Sequence, residues 1–321
     1  MIPTWATPQD LRELAALGAN HVRWQLTWGG FPQSPADTAT PESYRKWLRP
    51  ALLQVRRLLP LCDSLGLRVA LDLHTLPGGA VYQNGGLLQH RIFSEPRWQR
   101  EFIRIWEEIA ITFRRAPALW AYDLANEPVD GPLAPAVLNW HALATVTARA
   151  IRALDPAHTI VVEGAPAGGV PGLLQLRPLP ADIPNVVYSF HIYDPIAFTH
   201  QGIINKDTLW YPGTISGKYW DSAALRAWMQ PVRDWQLRHG AEIYAGEFSA
   251  VRWAPDGSAY RYLRDCMALF EEWGWSWAYH AWREWGGWSV EYGDARGVDS
   301  PPVEHTDRMQ LLEDYFRKNK D

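Results

Sequence analysis

Residues 118–128 read ALWAYDLANEP. A run of strand-forming apolar residues ends in an amide and a carboxylic acid, Asn126 and Glu127, and is then stopped by Pro128. Proline cannot donate to a strand ladder and biases the residue before it toward extended backbone, so Glu127 is expected to be extended and aimed inward. A segment that is apolar along its length belongs inside a protein. Polar groups gathered only at its C-terminal end indicate that this end opens onto a site.

The same pattern recurs outward from this stretch. Short apolar strands are expected at 20–26, 67–74, 118–126, 159–164, 185–193, 241–247 and 275–282, alternating with helical periodicity at 8–17, 43–65, 98–113, 137–154, 223–238, 258–273 and 306–318. Pro50 and Pro60 are expected to kink or break the second helix. Strands that are apolar on both faces and joined by helices form a parallel sheet covered by helices. Polar residues end nearly every strand: His74, Asn126 with Glu127, Glu163, His191 with Tyr193, Glu247 and Trp282. A (β/α)₈ barrel gathers such ends on one face, whereas an open doubly wound sheet has no need of a polar terminus on each strand. No GxGxxG follows the first strand and no P-loop occurs, which counts further against an open nucleotide-binding sheet. Residues 1–321 are read as one barrel domain with no linker.

Composition narrows the function. The 321 residues are 47% apolar and 21% charged, with 31 Lys and Arg against 35 Asp and Glu. No basic stripe points to nucleic acid, and no apolar run is long enough to span a membrane. Cys62 and Cys266 fall in helices and read as free buried thiols. Nineteen tryptophans exceed what core packing ordinarily uses and suit a cleft that stacks the flat faces of sugar rings. Trp28, Trp210, Trp220, Trp285 and Trp288 fall in loops on the rim side and divide between sugar platforms and loop packing. The start of the chain carries no secretion signal.

Glu127 and Glu247 end different strands, and on a barrel rim two such acids can face each other. Hydrolysis of a glycosidic bond needs that pair: one acid protonates the leaving oxygen, and one carboxylate attacks the anomeric carbon or activates water. The rival chemistry is a metal site built from His74, His191, Glu127 and Glu247, but no HExxH, CxxC or early His-x-His is present. No GxSxG elbow supports a serine nucleophile.

Taken in order, HVRW, LDLHTLPGG, ANEP, FHIY, AGEF and AYHAW resemble glycoside hydrolase family 5, the large cellulase family, over about residues 10–285. The resemblance implies a retaining β-glycosidase on a (β/α)₈ barrel, with Glu127 as acid/base and Glu247 as nucleophile. It implies a substrate-binding set of Arg23, His74, Asn126, His191, Tyr193 and Trp282. In that set Asn126 would bind the 2-hydroxyl, Arg23 would hold the nucleophile ionised and Tyr193 would orient it. His74 and His191 would contact hydroxyls or the acid/base, and Trp282 would floor the sugar. No metal or cofactor is implied. The expected substrate is a β-linked polysaccharide or oligosaccharide, foremost β-1,4-glucan cut internally, with mannan, xyloglucan and other β-glucans or exopolysaccharides as alternatives. A non-catalytic carbohydrate-binding barrel is the alternative from another class. A monomer is expected. Polymer substrates imply a secreted or periplasmic protein.

One departure stands out. The family's barrel opens with a strand ahead of the helix that precedes Arg23, and here few residues come before that helix. The first strand is therefore missing or minimal: the chain is truncated, residues 1–6 form a short strand, or the barrel is open and closed by a partner.

Overall fold

The structure, a computed structural model, describes residues 1–28, 40–82, 88–296 and 305–320. Its strands in chain order are β1 (His21–Gln25), β2 (Arg68–Asp72), β3 (Ala80–Tyr82), β4 (Leu88–His90), β5 (Leu119–Asp123), β6 (Thr159–Glu163), β7 (Val186–Ile192), β8 (Gly213–Ile215), β9 (Lys218–Trp220), β10 (Glu242–Phe248) and β11 (Ser276–Tyr279). Seven of them form one parallel sheet in the order β1-β2-β5-β6-β7-β10-β11, and helices connect and cover them. The two remaining pairs, β3–β4 and β8–β9, are small antiparallel hairpins in rim loops. Three-residue strands are too short to show a period in sequence.

The sheet separates two apolar regions. Val22, Trp24, Val69, Leu71, Tyr122, Ile160, Val162 and Phe190 face outward into the helix–sheet core. Ala70, Ala121, Val161, Tyr244 and Ala278 face inward and fill the barrel axis. This alternation is the period of two expected of strands covered on both sides. One step toward the C-terminal ends, the inward positions become Arg23, Asp72, Asp123 and Glu163, all fully buried.

Residues 1 and 2 occupy the seam between β1 and β11. Ile2 donates to Arg23 O at 3.0 Å and accepts from Gln25 N–H at 2.9 Å, making one parallel bridge to Trp24. The Met1 amino group donates to Tyr279 O at 2.6 Å, and Trp282 N–H donates to Met1 O at 2.9 Å. The strand expected at the start of the barrel is thus a single stitch at the rim. Below it a groove runs between His21 and Val22 on one side and Ser276 and Trp277 on the other. The barrel is nearly closed rather than complete.

Helix ends follow their sequence signals. Thr7 and Asp10 form a capping box at Pro8–Leu17, and Gly18 ends that helix in the left-handed region. Pro50 and Pro60 do not break the second helix, which runs continuously from Pro41 to Ser64. Both prolines lie on its exposed face, where water can satisfy the carbonyls they free, while Tyr44, Leu48, Val55, Leu58 and Leu59 anchor the opposite face in the core. Cys62 and Cys266 are free and buried.

Candidate active site

At the C-terminal ends of the strands, Arg23 lies at the centre of a buried network. Its Nε donates to Asp123 Oδ2 at 2.6 Å, and its Nη2 donates to Glu163 Oε1 at 2.7 Å and to Asn126 Oδ1 at 3.1 Å. Nη2 also lies 3.2 Å from Asp72 Oδ1, and Nη1 donates to Glu247 Oε1 at 2.8 Å. One guanidinium cannot neutralise four carboxylates. Burial, opposed by Arg23 and reinforced by the charges of Glu163 and Asp72, raises the Asp123 pKa well above the usual range. Arg23 is therefore a scaffold beneath the site. It is fully buried and lies beside Glu247, where the sequence led us to expect it, and meets no cleft surface itself. The short, forked donor geometry of Arg suits this burial among carboxylates.

Glu247 is aimed inward by a register shift. In the pairings of β10 with both β7 and β11 the register slips between Ala245 and the residues after Gly246, so that Tyr244 and Glu247, three apart, both face the axis. A bulge of this kind re-aims a side chain without ending the strand. A Cβ at Gly246 would lie 2.5 Å from Ser189 Oγ and 3.3 Å from His191 Nε2, so a side chain there forces its neighbours to shift. The Glu247 side chain is 3% exposed. Its Oε2 accepts from the Tyr193 hydroxyl at 2.8 Å and lies 2.9 Å from His280 Nδ1. Burial alone would raise its pKa, but the charges of His191 and His280, the His280 hydrogen bond and Arg23 hold it well below the usual carboxylate range.

Glu127 sits in the loop after β5 with φ 42°. It is in the left-handed region, not extended as Pro128 led us to expect. Its N–H donates to Glu163 Oε2 at 2.8 Å, and Pro128 O accepts from Ala167 N–H at 2.9 Å. These two contacts outweigh the local preference and turn the side chain over the barrel mouth. Glu127 Oε1 lies 2.9 Å from His191 Nδ1, and its side chain is 32% exposed, the most open of the acids here. Trp140 Nε1 donates to Glu163 O at 2.7 Å and Trp106 Nε1 to Leu124 O at 3.0 Å, so two buried indoles fix the strand ends that carry this acid.

Glu127, His191 and Glu247 each bring one oxygen or nitrogen within 4.8 Å of the others. Geometrically such a trio could hold a cation; His191 Nδ1 lies 2.9 Å from Glu127 and 3.7 Å from Glu247, and its Nε2 lies 3.2 Å from Glu163. A carboxyl pair closer than about 5.5 Å leaves no room for a water between the second acid and the sugar, and the second acid itself then attacks.

The other expected residues divide. Asn126 accepts from Arg23 through Oδ1, which leaves its amide N–H groups to donate toward the mouth. His74 holds Asp72 at 2.8 Å and is partly exposed. Burial lowers its pKa, but the Asp72 charge and hydrogen bond raise it further. Tyr193 and His191 both converge on the acids. Trp282 does not. It is buried at the seam, its Nε1 donating to Asp10 Oδ1 at 3.3 Å and its ring covered by Arg283. The rim residue after β11 that faces the nucleophile is His280, two positions earlier, because the chain turns away after Tyr279 to join Met1. Among the loop tryptophans, Trp220 and Trp288 are buried, Trp28 packs on Trp47, and Trp210 and Trp285 are exposed.

Sequence reasoning missed Asp72, Asp123, His280 and Glu284, and found no role for Glu163 beyond loop hydrogen bonding. For the acids on adjacent strands the signal was a repeated apolar-x-acid pattern: Ala70-x-Asp72, Ala121-x-Asp123 and Val161-x-Glu163.

A parallel barrel with two carboxyl groups this close on its C-terminal rim is the framework of a retaining glycoside hydrolase. The family model for Cellulase (glycosyl hydrolase family 5) matches residues 2–289, and the chain belongs to that family. It is 25% identical over 295 residues to Endoglucanase C of Acetivibrio thermocellus, covering 84% of this chain and 81% of the relative. It is 25% identical over 249 residues to Cellodextrinase A of Ruminococcus flavefaciens, covering 75% and 68%. Among solved structures it resembles a glycoside hydrolase with TM-score 0.71 at 25% identity, covering 96% of this chain and 92% of that one. The fold is also that of endoglucanase Cel5A from Thermotoga maritima, with TM-score 0.70 at 23% identity, covering 96% and 90%.

Proposed function

We propose that the chain is an endo-acting β-1,4-glucanase that works by double displacement, with Glu127 as acid/base and Glu247 as nucleophile. The observation that carries the mechanism is that one carboxylate oxygen of Glu127 lies within 4.8 Å of one of Glu247, the closeness of a retaining pair. In the first step Glu127 gives its proton to the glycosidic oxygen as a Glu247 oxygen bonds to the anomeric carbon and the C–O bond to the leaving sugar breaks. In the second, Glu127 takes a proton from water, which displaces Glu247 and frees the carboxylate. Arg23 and Tyr193 hold the nucleophile ionised and oriented, and the Asn126 amide meets the sugar's 2-hydroxyl. The exposed Trp210 and Trp285 are proposed as flanking sugar platforms. The glucan assignment rests on relatives named as endoglucanases. Action on a polymer is the support for a secreted or periplasmic protein.

The test is reducing-sugar release together with viscosity loss on carboxymethylcellulose, barley β-glucan, glucomannan, xyloglucan and xylan, with Glu247→Gln alongside. Rapid viscosity loss on a β-1,4-glucan, reduced about 10³-fold or more in the variant, supports the reading. Release from mannan or xylan alone would reassign the substrate. No release from folded protein would favour a binding role.

A further inference from the structure

His280 stands where the sequence led us to expect an aromatic floor. Its two ring nitrogens both face carboxylates: Nδ1 lies 2.9 Å from Glu247 Oε2, and Nε2 lies 2.5 Å from Glu284 Oε2. A neutral imidazole has one N–H, so one of these carboxylates would then meet a lone pair. An imidazolium carries an N–H on each side, one for Glu284 and one for the Glu247 and Tyr193 oxygens that Nδ1 faces. Tyr193 touches Nδ1 as well and gives its own proton to Glu247 Oε2. The two edges of the nucleophile are therefore held from opposite sides, Oε1 by Arg23 and Oε2 by His280 with Tyr193.

We propose that His280 and Glu284 form a positioning dyad for the nucleophile, in which an imidazolium tethered by Glu284 clamps one edge of the Glu247 carboxylate while Arg23 clamps the other. The proposal rests on the reading of Glu247 as nucleophile. When Glu247 forms its ester with the sugar it loses its charge, and His280 is left with Glu284 as its remaining anion. Glu284 thereby keeps the ring charged and in place through the covalent stage, ready for the carboxylate that returns on hydrolysis. No proton leaves His280 in either step.

The surroundings agree. Glu247 and Tyr193 face the ring from β10 and the loop after β7. Glu284 faces it from its own loop, the Trp288 ring lies 6.2 Å away, and Arg23 stands behind Glu247. Burial lowers the His280 pKa, but the charges of Glu247 and Glu284 and the hydrogen bonds to both raise it to about 10. The neighbouring His200 is pushed down to about 4 by burial and by the His280 charge, and the His74 charge acts on Glu284.

The experiment measures kcat and KM from pH 5 to 10.5 on 2,4-dinitrophenyl β-cellobioside, whose leaving group needs little acid assistance, for the wild type and for Glu284→Gln and His280→Gln. In Glu284→Gln, kcat/KM is expected to fall about tenfold and its alkaline limb to move at least about one pH unit toward acid, with KM little changed. A loss that is uniform in pH, with the limb unmoved, overturns the dyad. Nitrogen NMR of histidine-labelled wild type, with His280→Gln giving the assignment, checks the same claim without depending on how Glu284→Gln folds. Both ring nitrogens are expected to be protonated at pH 8, and a neutral ring there overturns it. A folded wild type that turns over no cellobioside would instead sink the β-glucanase reading, and the NMR result would still decide the charge state.

Discussion

Glu163 Oε2 accepts the backbone N–H of Glu127 at 2.8 Å, so the carboxylate that ends β6 sets the left-handed turn on which Glu127 sits. A non-glycine residue at positive φ persists only where its surroundings over-determine it. Glu163 does so while its other oxygen holds Arg23 and His191. Glu163→Gln is expected to lower kcat/KM about 10- to 100-fold by loosening a charge-assisted contact to a buried partner. Glu163→Ala strands Arg23 and His191 short of a partner and is expected to destabilise by about 3–5 kcal/mol. Steady-state kinetics and denaturant melts of the two variants check this. A Glu163→Ala protein with wild-type kinetics would remove Glu163 from the account.

Gly246→Ala is expected to be disproportionately harmful for one methyl group. The added Cβ would meet Ser189 Oγ at 2.5 Å and His191 Nε2 at 3.3 Å, displacing the bulge that aims Glu247. A shift of about 1 Å at a reacting group costs about 10²-fold in rate. Kinetics with a thermal melt separate this from unfolding: the expected variant is folded and slow.

Trp282→Phe should behave as a seam mutation. Loss of the hydrogen bond to Asp10 and of contact with Arg283 is expected to lower stability by about 1–3 kcal/mol, leaving kcat/KM within about threefold. A large rise in KM without loss of stability would put the indole back in the sugar site.

Stability follows pH with a definite sign. His280 is raised from 6.5 to about 10 and His191 also upward, so the folded state binds their protons more tightly than the unfolded chain. That contribution is complete below about pH 6.5 and is lost as pH climbs toward 10. Glu247 is held well below 4.5, so its contribution is complete above that value and is lost on acidification. Thermal melts of the wild type should decline from pH 6.5 to 10, and more gently in His280→Gln. Equal slopes in the two proteins would contradict the assignment of charge to His280.

Most of the barrel was legible because its strands are apolar on both faces and its helices carry ordinary caps. Helices at 8–17 and 258–273 fall at the residues expected. The prolines did not break the second helix, because they lie on its exposed face, where water takes up the carbonyls they free. The site was legible where a polar residue ends an apolar run, as at Asn126, Glu127, His191 and Glu247. It was obscure where a polar residue lies within the run, as Asp72 and Asp123 do, since single acids there do not disturb the strand pattern. Trp282 was misplaced because a strand period of two cannot foresee the turn after Tyr279, and the acids gathered around Arg23 went unseen because an arginine at a strand end gives no sign of how many surround it.

The most direct measurement of the central claim is the mass of the peptide carrying residue 247 after incubation with 2,4-dinitrophenyl 2-deoxy-2-fluoro-β-cellobioside, which forms the glycosyl-enzyme quickly and hydrolyses slowly. The account predicts one fluorocellobiosyl group per chain, on Glu247, formed in step with loss of activity. An active enzyme that stays unlabelled, or a label on any other residue, would contradict Glu247 as the nucleophile of a retaining reaction.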